Sequence, residues 1–193
     1  MRKVVLIFGV IIVLGAMAAN AQTSAQSAND PALKPIINNF SARNYAAGAV
    51  TKTELDLIIQ AGIRAPSAGN RQQWHFTIVQ DQALARQLIP QTTEGNVLVV
   101  ISGLGDSKTN GAVILDCGLA AQSMFLAAQA LGLGARQYTG TIDNVNNNFK
   151  SALGLPQGHS AVIIIRIGRL PAGVDAASSA SPRQSVEQKV TYK

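Results

Sequence analysis

The stretch Ala65-Pro66-Ser67-Ala68-Gly69-Asn70-Arg71-Gln72-Gln73-Trp74-His75-Phe76 joins two different periodicities. Before it, Leu55, Ile58, Ile59 and Ile63 recur on one helical face. They follow Thr51-Lys52-Thr53-Glu54, whose Thr and Glu spacing is that of a capping box. Inside it, Pro66, Ser67, Gly69 and Asn70 cannot continue that helix. Beyond it, Trp74, Phe76 and Ile78 alternate with more polar neighbours, which predicts a strand over 74–79 with those three on one side. The stretch is therefore a small-residue loop carrying the chain from a capped helix into a strand.

Outward from there, residues 82–89 read as a helix. Residues 97–101 form a β-branched run of the kind expected in a strand buried on both faces. Residues 110–131 are apolar on nearly all sides and predict a central buried helix, stopped by Gly132 and Gly134. Val145, Phe149, Ala152 and Leu153 indicate a further amphipathic helix, and residues 162–167 another central strand. Upstream, residues 31–39 suggest a short helix. Residues 171–182 are rich in Ala, Ser and Pro and suggest an arm leaving the body. No internal repeat is present. The order of elements predicts an α/β (α+β) layered fold, a central mixed sheet flanked by helices.

The N-terminus has its own grammar. Arg2 and Lys3 precede an apolar run over 4–19, and Ala19-Asn20-Ala21 gives a small-x-small cleavage pattern. That pattern predicts a secretory signal peptide over residues 1–21, the alternative being an uncleaved membrane anchor; the run is shorter than the ~20 residues of a bilayer-spanning helix. The expectation is an exported, periplasmic protein without a stable membrane anchor after cleavage. A Ser/Ala/Gln/Asn-rich leader follows over 22–30, and one domain over 31–193. Losing Arg2 and Lys3 lowers the +6 net charge by two. What remains is scattered, with no basic run to track a nucleic-acid backbone and few aromatics on which bases could stack.

Little acid/base machinery is legible. Gly-x-Ser-x-Gly is absent, and the two histidines, His75 and His159, have no obvious catalytic partner. No Walker loop or Gly-x-Gly-x-x-Gly fingerprint is present. The lone cysteine, Cys117, lies in an apolar helix and reads as a core residue. It cannot form an internal disulfide, and no Cys/His cluster has metal-ligand spacing. An enzyme with this sequence would leave its chemistry to a cofactor.

Four segments, in order, resemble the FMN-dependent nitroreductase family. The 65–76 stretch is similar to its "APSxxNxQPW" motif. Ser41-Ala42-Arg43-Asn44-Tyr45 resembles its "RxSxRxY" opening, and Asp116-Cys117-Gly118-Leu119-Ala120-Ala121-Gln122 its "DxGxAxQ" helix, leading to Gly132-Leu133-Gly134. Ile167-Gly168-Arg169-Leu170-Pro171 with Pro182-Arg183 resembles its closing strand and Arg-bearing tail. The similarity runs over residues 36–190.

The resemblance implies a homodimer with FMN at its interface and a C-terminal arm reaching the partner subunit. It implies an oxidoreductase working by ping-pong, from a reduced donor such as NAD(P)H to a nitroaromatic, quinone or similar acceptor. The alternative is a non-catalytic flavin-binding or cofactor-free dimeric domain of the same fold. No metal and no catalytic side chain are implied, the flavin carrying the chemistry. By position, Ser41 and Arg183 match phosphate contacts. Arg43 matches the cation beside flavin N1. Pro66, Ser67 and Ala68 match the loop that a partner subunit lays on the cofactor. Asn70 matches the amide at the pyrimidine edge, and Thr139 with Gly140 the turn near N5. Three departures stand out: Asn39 replaces the family's first Arg, Gln73 replaces a Pro, and the 74–116 stretch leaves no room for the helical cover of larger members.

Overall fold

The structure, a computed structural model, describes residues 30–174 and 181–193. The expected signal peptide and almost all of the leader lie outside the described residues. The chain divides at Ile37/Asn38 into two units. In the first, Asp30 accepts a hydrogen bond from the Ala32 N–H (2.8 Å) and opens a turn before helix α1, Lys34–Ile37. The helix expected over 31–39 is thus a single turn, since Pro31 and Pro35 each remove a backbone donor.

The second unit holds a four-stranded sheet in the order β1-β2-β4-β3, with β1 Trp74–Val79, β2 Val97–Leu104, β3 Gly134–Tyr138 and β4 His159–Gly168. The layered α/β class is as expected. The sheet is not mixed, however: every adjacent pair is antiparallel. β3 is an element the sequence did not announce, because Gly-Ala-Arg-Gln-Tyr lacks both alternation and β-branched residues. Gly134 belongs to this strand rather than to a helix stop. A Cβ there would come within 2.7 Å of Leu170 and 3.0 Å of Ala42. The stop is Gly132, at φ +74°.

Both sheet faces are covered, which explains the unbroken apolar run in β2. Val97, Val99 and Ile101 join Ile163, Ile165 and Ile167 of β4 against helix α4, Gly111–Ala130. Leu98 and Val100 join Ile164 on the opposite face. That face is capped by helix α3, Gln82–Leu88, and helix α5, Ile142–Asn148. The amphipathic helix expected through Leu153 ends at Asn148, and turns carry the chain onward with Ala152 exposed.

Helix α2, Lys52–Ile63, starts at the predicted capping box: Glu54 N–H donates to Thr51 Oγ1 (3.3 Å), and Thr51 N–H to Glu54 Oε2 (2.8 Å). It lies close to α4 because Gly62 leaves space that the buried Met124 side chain fills. The expected apolar face is only partly covered: Leu55 and Ile58 are buried, whereas Ile63 is exposed.

A strap over residues 40–46 crosses the end of the sheet. Gln129 holds it by accepting from Phe40 N–H (3.1 Å) and donating to Phe40 O (2.8 Å). Ala42 N–H reaches Ala135 O, and Ala46 N–H reaches Arg169 O, both at 3.0 Å. Between them the Tyr45 ring covers the buried Arg166 guanidinium at 3.9 Å. That guanidinium donates to Asn96 Oδ1 (2.7 Å) and Thr93 Oγ1 (3.0 Å). Burial pushes the Tyr45 phenol well above its usual range, and Arg166 opposes only part of the shift.

Candidate functional site: a cleft beside the central helix

The loop over 65–73 is rigidly held. Ala68 N–H donates to both carboxylate oxygens of the buried Asp116, at 3.0 and 3.2 Å. Gln72 N–H donates to Ser67 Oγ (3.1 Å), and Gln72 Nε2 to Asn70 Oδ1 (3.1 Å). The tight path needs three left-handed residues in four: Gly69 (φ 59°), Asn70 (φ 53°) and Gln72 (φ 51°). Pro66 and Asn70 are exposed, while Ser67 and Ala68 are half-buried. The sequence motif around Asp116 is thereby explained: its carboxylate ties the loop to α4 through a charge-assisted bond. Its neighbour Cys117 is fully buried, and burial, with a smaller effect of Asp116, pushes its thiol up to about 12. Both burial and this shift disfavour a reactive thiolate.

On the other side of α4 from Asp116, a cleft of about 470 Å³ opens. Ile114 and Gly118 form one wall; Thr139 and Gly140, in the turn between β3 and α5, form another. Val162 and Ile163 of β4 lie beneath. A Cβ built on either Gly118 or Gly140 would meet nothing within 4 Å, so both glycines border open space. Lys108 and Asp143 stand at the rim as an exposed ion pair (2.9 Å), and this hydrogen bond raises the Lys108 pKa. The turn presenting Lys108 is fixed by Asp106 Oδ1, which accepts from Lys108 N–H (2.6 Å) and Thr109 N–H (3.2 Å). The volume falls in the range of small-molecule sites, roughly 300–1,000 Å³, and apolar walls with a few polar groups fit that use.

Of the residues expected at a cofactor site, Thr139 and Gly140 line this cleft. Pro66 to Asn70 do not line it: Ala68 ties their loop to Asp116, two residues from both Ile114 and Gly118 and so on the opposite side of α4. Ser41 and Arg43 are exposed on the 40–46 strap and do not line the cleft. Arg183 is exposed on the tail, where its guanidinium donates to Ser181 O (2.9 Å). Sequence reasoning gave no role to Asp116 and missed Lys108, Asp143, Gly118 and Val162. Asp116 and Gly118 were within reach, both lying in the motif over residues 116–122. Lys108 and Asp143 carry no sequence signal, since 35 residues separate them.

An open-sided cleft between a central helix and a layered sheet gives this α/β domain the shape of a small-ligand site. The family model that matches this chain is the Nitroreductase family, over residues 37–97 and 91–169. The chain belongs to that family. A protein of Archaeoglobus fulgidus named for NADH dehydrogenase/NAD(P)H nitroreductase is 32% identical over 111 residues, covering 53% of this chain and 64% of that protein. The chain thus matches less than two thirds of the length of this relative. The nitroreductase of Desulfitobacterium hafniense, solved with bound FMN, has TM-score 0.71 at 21% identity, covering 85% of this chain and 98% of that one. Nitroreductase A of Vibrio parahaemolyticus has TM-score 0.73 at 21% identity, covering 84% and 75%. At that identity these two structures establish the fold.

Proposed function

We propose that the chain is an FMN-dependent oxidoreductase of the nitroreductase type, exported to the periplasm and active as a homodimer. The observation that carries this reading is the cleft, whose walls at Gly118 and Gly140 carry no side chain and face open space. A planar ring system needs such surfaces. When bound, FMN supplies two-electron transfer between a reduced donor, NAD(P)H in relatives' names, and an acceptor such as a nitroaromatic or quinone.

The chain's own residues bind and orient. The exposed Thr139–Gly140 turn offers backbone N–H donors at the cleft wall. Asn70 offers an amide that both donates and accepts, on a loop kept in shape by Asp116. Ser41, Arg43 and Arg183 offer a hydroxyl and two guanidinium groups suited to a phosphate and to an electron-rich ring edge. These three stand away from the cleft in one chain, which agrees with a site shared by two chains. Donor and acceptor would use the open side in turn, giving ping-pong kinetics.

A second reading is a flavin-binding or cofactor-free dimeric domain without catalysis. It is favoured by Asn39, which removes one phosphate-binding charge of the family pattern. The visible spectrum of the mature protein, purified from an exported fraction, separates the two. Flavin bands, and parallel double-reciprocal plots with NAD(P)H and a quinone, are expected. A colourless protein that ignores added FMN would sink the oxidoreductase reading. Full-length protein retained in the cytoplasm would sink the export reading.

A further inference from the structure

The chain contains two histidines, 84 positions apart, and the fold brings them together. His75 lies in the edge strand β1 and His159 opens β4. Their rings sit edge to face with centroids 6.3 Å apart. Between them is Ser102 of β2, directly paired with His75. His159 is paired with Leu104, two residues along, and so occupies the same face as Ser102. A register shift between Ile101 and Ser102 sets this alignment. Nothing in the proposed flavin site uses these residues, and none of them lines the cleft.

The polar contacts make one imidazole a prepared ligand. Ser102 Oγ is 3.4 Å from His75 O and 3.3 Å from His159 Nδ1. His75 O can only accept, and of the two arrangements these contacts allow we take the one in which the hydroxyl proton goes to it. The serine oxygen then accepts from His159 Nδ1–H, which leaves the Nε2 lone pair of His159 free. A hydrogen bond to the non-ligating nitrogen is the usual way a metal-binding imidazole is oriented. His75 is exposed, and among the described residues its ring is held by no hydrogen bond, so it can turn. With metal–nitrogen bonds of about 2.0–2.1 Å, two imidazoles on one ion have ring centres about 5 Å apart at a tetrahedral angle and about 6 Å in line. Reorienting His75 by rotamer change covers the difference.

We propose that His75 and His159 form a two-imidazole site for a divalent transition-metal ion, with copper(II) held more tightly than nickel(II) or zinc(II) and water completing the coordination. Imidazole suits these ions, and copper leads them in affinity for a given set of nitrogen ligands. Among the described residues no third histidine, cysteine or carboxylate joins the pair. The site is therefore open on its solvent side and exchangeable.

The test is titration of the mature protein with each metal alone, copper chloride, nickel chloride and zinc chloride, by calorimetry. It is repeated on His75→Gln, His159→Gln and the double variant. Both side chains are at least partly exposed, so the variants should fold, and circular dichroism checks this. One copper per chain is expected, with affinity falling at least tenfold in each single variant. Copper electron paramagnetic resonance should show fewer coupled nitrogens in each single variant and lose the imidazole coupling in the double variant. Copper binding that survives in the double variant, as for an ion held by the chain terminus, would overturn the proposal, as would the absence of binding in the parent. Neither outcome depends on flavin content.

Discussion

Arg43 is exposed on a strap whose backbone is fixed at both ends, by Ala135 before it and Arg169 after it. Its position is thus set by the fold while its guanidinium stays available. If it meets the flavin ring at the electron-rich pyrimidine edge, it stabilises the reduced form more than the oxidised one. Changing Arg43 to Gln keeps a donor and removes the charge, a loss of about 1–3 kcal/mol in that preference. At roughly 30 mV per 1.4 kcal/mol for a two-electron couple, the bound-flavin midpoint should fall by roughly 20–65 mV. Redox titration against a dye of known potential measures this. A midpoint that holds or rises removes Arg43 from the ring.

At the scale of elements, two contacts decide how α2 sits. The first is Glu54, which caps α2 and also receives Arg169 from the end of β4 through two 2.7 Å bonds. Arg169 additionally donates to Ala49 O (2.9 Å). The hydrogen bond from Arg169 is the main reason the Glu54 carboxyl falls from 4.5 to about 2. A carboxyl depressed in the folded state stabilises the protein above its unfolded value. That stability should therefore be complete above pH 4.5 and disappear as pH falls through about 2. Thermal midpoints of the parent and of Arg169→Met, followed across this window, should converge toward its acid end. A constant gap would show that the pair is not the source.

The second contact is Gly62 against Met124. A Cβ at position 62 would overlap the Met124 side chain, which is fully buried and cannot swing into solvent. Gly62→Val should cost about 1–3 kcal/mol through overpacking, or about 2–4 °C in Tm per kcal/mol for a domain of this size. Differential scanning calorimetry would show it. An unchanged Tm would mean that the α2–α4 spacing is looser than described.

For the whole molecule, the groups suited to FMN are divided. The ring-sized cleft carries Thr139 and Gly140, while Ser41, Arg43 and Arg183 lie outside it. A second chain would reunite them, so the protein should be a dimer at micromolar concentration by light scattering with FMN present; a monomer would undo the shared-site reading. On the same grounds Arg183→Ala should weaken FMN binding. The loss of one charge-assisted contact, ~1.5–3 kcal/mol, is about 10- to 150-fold in affinity. Fluorescence titration of the flavin would register no change if the tail arginine lies elsewhere.

The sequence by itself determined the local features. The Thr51–Glu54 cap, the alternation of Trp74, Phe76 and Ile78, the apolar run in β2 and the long apolar α4 are set by neighbours within a few residues, where periodicity and capping act. Cys117 as a core residue was legible for the same reason. The ordered motifs also led to the family. What only the tertiary structure decided depends on residues far apart in the chain. β3 is a strand because the edge of β4 and the 40–46 strap accept its backbone, not because Gly-Ala-Arg-Gln-Tyr prefers to extend. The sheet is antiparallel because of how the long connections run, which periodicity does not encode. Asp116 holding Ala68, Lys108 meeting Asp143, and His75 meeting His159 are contacts across 48, 35 and 84 positions. Side chains that distant are brought together by burial of the shared core, and nothing in either local stretch marks its partner.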